Sequence, residues 1–282
     1  HQSERFVLIL GDHDLTTPIQ TDKRYRVQSN WPTPHKFKYS TWQSWIADPR
    51  IVHIFVEHLD EIQSSPKVSP IPLGMNPAED NAIMHMTTSQ IKYKFNKRPI
   101  RERPLIVRYT NRVRSGSDQW KDRKTALNNC NGPWKSFCKS GAIQNKFHQE
   151  LGNFPFVFCV HGGGIDPNPT LWSTLLAGSI PIIVKFPGDT MYNDFPVVKI
   201  DNLDSDSITV AKLEAWRNTF APYFEGNRRQ NILNKLTADF WWAKIEDKLK
   251  TTIENKNAVT KPASKYLRYR CSSGCGGWSD RW

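Results

Sequence analysis

Apolar positions along the chain fall into two alternating kinds of run. Residues 156–160 (FVFCV) and 180–184 (IPIIV) are short and almost wholly apolar. That pattern predicts parallel strands covered on both faces. Further strands are predicted at 5–10 (RFVLIL), 51–56, 68–73 and 105–109, and within FPVVKID at 195–201. Helices are predicted between them at 77–94, 118–129, 141–151 and 168–177. Asn76 and Pro77 supply a cap and first turn for the first of these, and Gly178 ends the last. Residues 208–224 are amphipathic, with apolar side chains at 210, 213, 216, 220 and 224. Residues 227–256 read as a longer helix carrying Leu233, Leu236, Phe240, Trp241 and Ile245. Trp241 and Trp242, aromatics at helical spacing, are read as packing anchors rather than as a sugar platform. Residues 21–40, rich in charge, proline and aromatics, read as a surface excursion.

Strands alternating with helices, twice over, predict an α/β protein of two doubly wound halves. Ligands of such folds bind outside the carboxyl ends of the strands. If the halves face each other, the loops after Leu10, Leu73, Tyr109, Val160 and Val184 converge on one cleft.

A chain of 282 residues has room for one large domain or two of ordinary size. No apolar run approaches the roughly 20 residues needed to cross a bilayer, so no integral membrane segment is expected. No charged-then-apolar leader follows His1. The net charge of +12 favours an anionic partner. RNP, zinc-finger and basic-helix patterns are missing, which ranks nucleic acid below a phosphate-bearing ligand. Cysteines 130, 138, 159, 271 and 275 form an odd set without a paired framework, so a reducing, cytoplasmic setting is expected. Cys271 and Cys275 lack the second close pair of a structural zinc site.

Candidate chemistry starts at the triple glycine. Gly162, Gly163 and Gly164 let the backbone turn sharply and approach a ligand, and the helix start that follows favours an anion. The run has neither the dinucleotide spacing G-x-G-x-x-G nor the lysine of a P-loop. Strand–glycine–helix units also occur in many folds without a ligand. Asp12, His13 and Asp14 follow the first strand, where a carboxylate or imidazole could act as general base, or where the aspartates could simply cap a turn. Asp80, after the strand ending IPLG, is an alternative base, while Glu79 beside it favours a helix start. Asp12 and Asp14 also have the D-x-D form of a divalent-metal site, as do Asp204 and Asp206. Metal use is the lesser reading. Arg108, Arg112 and Arg123 are candidate diphosphate clamps.

The segment VHGGGIDPNPTLWSTLLAGSIPIIVK, with Asp189, Tyr192 and FPVVKIDN after it, resembles the nucleotide-sugar half of exostosin-type glycosyltransferases, in the short form found in algae and large algal viruses. LILGDHDLTTP and PKVSPIPLGMN resemble the N-terminal half of the same proteins more loosely. The resemblance implies a GT-B architecture, with two Rossmann-like domains facing a cleft. Residues 1–135 would bind the acceptor and 136–240 the nucleotide sugar, with 241–282 packing back on the first domain. It implies an inverting, metal-independent enzyme, without a cofactor, that moves a sugar from a UDP-sugar to a glycan hydroxyl. The algal-virus members would further imply UDP-xylose as donor, a fucose-containing capsid glycan as acceptor, and the host cytoplasm as location. His161, the three glycines, Asp166, Pro169, Thr170 and Asp189 would lie by the donor, with Arg112 and Arg123 on its diphosphate. The family has a glutamate for the ribose hydroxyls where this chain has Ser173, so that contact is weaker here or comes from another side chain. A metal-dependent GT-A-like transferase using Asp12 and Asp14, and a non-catalytic nucleotide- or glycan-binding protein, are the alternatives. The oligomeric state is left open.

Overall fold

The apolar runs do become parallel strands, in two sheets. The structure is a computed structural model that describes residues 4–11, 16–18, 38–61, 65–75, 98–109, 113, 120–141, 150–162, 164–167 and 169–254. In the first sheet β1 (Phe6–Leu10), β2 (Ile51–Val56) and β3 (Val68–Pro70) run parallel in the order β1-β2-β3. β2 is central and buried at all six positions, which is why it carries no alternation of apolar and polar residues. The helix α1 (Tyr39–Ala47) precedes β2 and buries Trp42 against Ile51, Ile54, Val56 and Val68. This helix falls at the end of the stretch read from sequence as a surface excursion.

The second sheet holds β4 (Val107–Tyr109), β5 (Cys138–Ser140), β6 (Phe156–Phe158), β7 (Ile180–Val184) and β8 (Val198–Ile200), all parallel, in the order β5-β4-β6-β7-β8. Helix α2 (Lys121–Asn131) joins β4 to β5, and α3 (Thr170–Leu176) joins β6 to β7. The short edge strand β5, Cys-Lys-Ser, has no apolar run to announce it. After β8 come α4 (Val210–Phe220), α5 (Gly226–Lys235) and α6 (Ala238–Glu254). The long C-terminal helix expected from sequence is thus two helices, broken between Lys235 and Ala238. Helix α6 lies against β1 and β2 of the first sheet. The six described helices and two parallel sheets make a mixed α/β protein. Among the described residues no helix is long and apolar enough to cross a membrane.

Trp241 is a packing anchor, its ring stacking on Phe195 at 6.5 Å and meeting the edge of Trp172 at 6.1 Å, whereas Trp242, expected to be one too, is 44% exposed. Helix α3 is buried from Leu171 to Leu176, so its last carbonyls have no water to meet. Two buried arginines supply the donors. Arg229 donates to Leu175 O at 2.6 Å and to Leu176 O, and Arg103 donates to Gly178 O at 2.8 Å and Phe154 O at 3.2 Å. Burial pulls both guanidinium pKa values down to about 10, which still leaves them charged at neutral pH. Cys130 and Cys138 form a disulfide between the end of α2 and the start of β5, with Cα atoms 5.1 Å apart. This corrects the expectation of an unpaired cysteine set. Cys159 is buried and free, and its thiol pKa is pushed up to about 12 by desolvation.

His53, on β2, is buried with its ring 4.8 Å from Phe55 and Nε2 2.9 Å from Ser69 Oγ. Desolvation, helped by the positive charge of Lys248, lowers its pKa from 6.5 to about 4. Between those values the unfolded chain binds the proton and the folded chain does not, so stability is lost as pH falls through the window. Urea midpoints are expected to drop between about pH 7.5 and about pH 5, and H53Q should show a smaller drop. An unchanged drop in H53Q would assign the effect to other groups.

Candidate functional site

The strand order of the second sheet fixes where a ligand crevice can form. From β4 the chain moves one way to β5, then returns across β4 to β6 and continues outward. In open parallel sheets such a reversal leaves a crevice at the carboxyl ends of the two flanking strands, here β4 and β6. β6 leads through Cys159 and Val160 into His161 and Gly162. Helix α2, which follows β4, opens with Lys121, Asp122 and Arg123.

These two segments interlock. His161 Nε2 lies 2.7 Å from Asp122 Oδ2. Arg123 Nε donates to His161 O at 3.0 Å, its guanidinium sits 4.6 Å from the Trp120 ring centre, and its own carbonyl accepts from Tyr109 Oη at 2.8 Å. A β-carbon on Gly162 would fall on Arg123 Nη2. The missing side chain at Gly162 thus leaves the room that the arginine occupies.

Gly164 has the same relation to a residue of the first sheet. A β-carbon there would fall on Cε1 and Nδ1 of His58, which follows β2. Nδ1 of His58 accepts from the Asp166 backbone N–H at 3.3 Å. His58 is 2% exposed and has φ of 48°, in the left-handed region. Its backbone is fixed there by Thr17, whose N–H donates to His58 O at 3.1 Å and whose carbonyl accepts from Asp60 N–H at 2.9 Å. Burial, with the nearby His161 adding to it, pushes the His58 pKa down to about 4, so the ring is neutral at pH 7. The carboxylate of Asp166, buried at 1% exposure, accepts from Tyr192 Oη at 2.8 Å. Burial and the Asp166 charge hold the Tyr192 phenol protonated. A second contact between the sheets' carboxyl ends is made where Pro70 of β3 faces Gly188 after β7.

The structure thus brings together Arg123, His161, Gly162, Gly164 and Asp166 of the residues singled out from sequence. Pro169 and Thr170 start α3, a helix of only seven residues. Ser173 is buried, and its hydroxyl donates to Pro169 O at 3.2 Å. Asp189 pairs with Lys199 Nζ at 2.9 Å and receives Phe186 N–H at 3.4 Å. Arg108 is buried, donating to Lys139 O at 3.0 Å and Gly141 O at 2.9 Å, with Glu150 Oε2 3.6 Å away. Asp12, His13, Asp14, Asp80, Arg112 and Gly163 lie outside the described residues. Among the described residues no three His, Cys, Asp or Glu side chains gather as a metal-ion site.

Sequence reading missed His58, Asp122 and Trp120. A signal for His58 existed: Glu57 and His58 directly follow the apolar run of β2, the same strand-end position that singled out the other loops. Glu57 also fills the space beside Gly11, after β1.

No family model matches the chain, and no curated protein sequence matches it. Among solved structures the chain is similar to one in the crystal structure of the GtfA/B complex. The similarity covers 78% of this chain and 48% of that one, with 11% identity and a TM-score of 0.30. The chain spans about half the length of that protein, and at this TM-score the likeness carries no assignment.

Replacing Gly164 by Ala is expected to destabilise the protein by about 1–3 kcal/mol through overpacking against His58. In urea denaturation H58A should recover at least part of that loss, giving clear non-additivity in the double-mutant cycle. Additive effects would show that the two residues do not touch.

Proposed function

We propose that this chain is an inverting, metal-independent glycosyltransferase that takes a UDP-sugar, with xylose the sugar to try first, and glycosylates a hydroxyl of a glycan. The observation that carries the reading is the placement of Arg123 on Gly162 and of His58 on Gly164, at the strand ends where the sheet order reverses. A basic side chain, an imidazole and glycine backbone in one crevice suit the diphosphate of a nucleotide sugar. The exostosin-like run through residues 156–201 supports the same choice from sequence.

In the proposed reaction the acceptor oxygen attacks the anomeric carbon from the face opposite UDP. The bond from that carbon to the phosphate oxygen breaks, UDP leaves with the electron pair, and the hydroxyl proton passes to a base. Asp14 is our first choice for the base, with His13 and Asp80 as alternates. Arg123, with Arg112, would neutralise the charge developing on UDP. Asp166, Pro169, Thr170, Ser173 and Asp189 would border the donor.

UDP release measured across a panel of UDP-sugars and glycan acceptors, with and without EDTA, tests the reading. Turnover that survives EDTA, with inverted configuration in the product, is expected. Activity lost to the chelator would instead favour a metal site at Asp12 and Asp14, and saturable UDP binding without turnover a binding protein. D14N should lower turnover by about a hundredfold or more while leaving UDP affinity near that of the wild type. Unimpaired turnover in D14N would move the base elsewhere.

A further inference from the structure

His58 has one ring nitrogen with a partner and one without. Nδ1 accepts from the Asp166 amide, which cannot itself accept, so in the neutral ring the proton resides on Nε2. Nε2 is buried and has no hydrogen-bond partner among the described residues. A buried donor left unpaired is costly, and nearly all such groups in folded proteins find a partner. The left-handed backbone of His58 adds a further cost, one that Asn, Asp and His bear more easily than bulkier residues. Both costs fall on one side chain, and it reaches from the first sheet to the glycine turn of the second.

The geometry points to His58 as a ligand-binding residue: its Nε2–H donates to a phosphate oxygen of the bound nucleotide, at the same glycine turn that Arg123 reaches. A phosphate oxygen fits better than a sugar hydroxyl because a donor-only group and a guanidinium flank the same turn, and both favour an acceptor that carries negative charge. Neutrality is part of the design, because a protonated ring would aim a second N–H at the Asp166 amide. The choice of nucleotide rests on the UDP-sugar reading; the donor itself rests on the contacts of the ring.

Two substitutions separate the ring nitrogens. In H58N the amide oxygen stands where Nδ1 accepts, and the Nε2 donor is gone; asparagine also tolerates the left-handed backbone. In H58Q the amide nitrogen stands near Nε2 and the Nδ1 acceptor is gone. Calorimetric titration with UDP and, separately, with inorganic pyrophosphate should give a Kd raised about tenfold to a hundredfold in H58N. H58Q should bind within about threefold of wild type but melt at a lower temperature, since it strands the Asp166 amide. Folded H58N that binds both probes like wild type, or equal weakening by both variants, overturns the inference while leaving UDP binding intact. Pyrophosphate binding weakened by H58N, without any affinity of the wild type for UDP, keeps the inference and removes the nucleotide reading. A wild type that binds neither probe overturns both. Should H58N not fold, the imidazole nitrogen spectrum of the wild type decides: pyrophosphate must shift the Nε2 resonance, and an unmoved Nε2 overturns the inference.

Discussion

Two missing β-carbons hold the centre of this protein together. At Gly162 the gap admits Arg123, and at Gly164 it admits His58. The first contact stays within one sheet and the second joins it to the other. Any side chain at either position would push a polar group off the backbone it lies on. The turn that follows β6 is therefore shaped by the protein itself, and a ligand at this turn would meet an arginine and a histidine as well as bare backbone.

The rest of the architecture serves to keep that turn where it is. Reversal of strand order sets β4 and β6 side by side, which brings the start of α2 against the end of β6. Helix α3 leaves the turn and is buried on every side from Leu171 onward, so its carbonyl end needs donors from outside. Arg103 and Arg229 supply them from far along the chain. Replacing either by an apolar residue would strand carbonyls in the core, which is why charges are tolerated there at all. On the other sheet, the short pairing of Thr17 with Leu59 fixes the backbone of His58.

Much of this was legible in the sequence. The almost wholly apolar runs of β6 and β7 marked parallel strands, because only a sheet covered on both faces has no use for alternation. The triple glycine marked the turn. The expectation was that its glycines made room for a ligand, whereas Gly162 and Gly164 make room for side chains. Those neighbours were out of reach for a physical reason: His58 and Asp166 are 108 residues apart, and no local periodicity encodes their meeting. The same holds for Arg103 and Gly178, 75 residues apart. Strand β5 was missed because an edge strand of three small or polar residues carries no hydrophobic signature. The Cys130–Cys138 pair was missed because the sequence gives no sign that α2 ends where β5 begins.

The seam at His58 is made from a neutral imidazole, a backbone amide and close packing, so counterions find little there to screen. Ionic strength should then act unequally on the molecule. The attraction that a chain of net charge +12 exerts on an anion weakens as salt rises, while this seam between the sheets does not. Long-range attraction of anions and the fit between the sheets are therefore separable: one is set by the surrounding electrolyte, the other by shape.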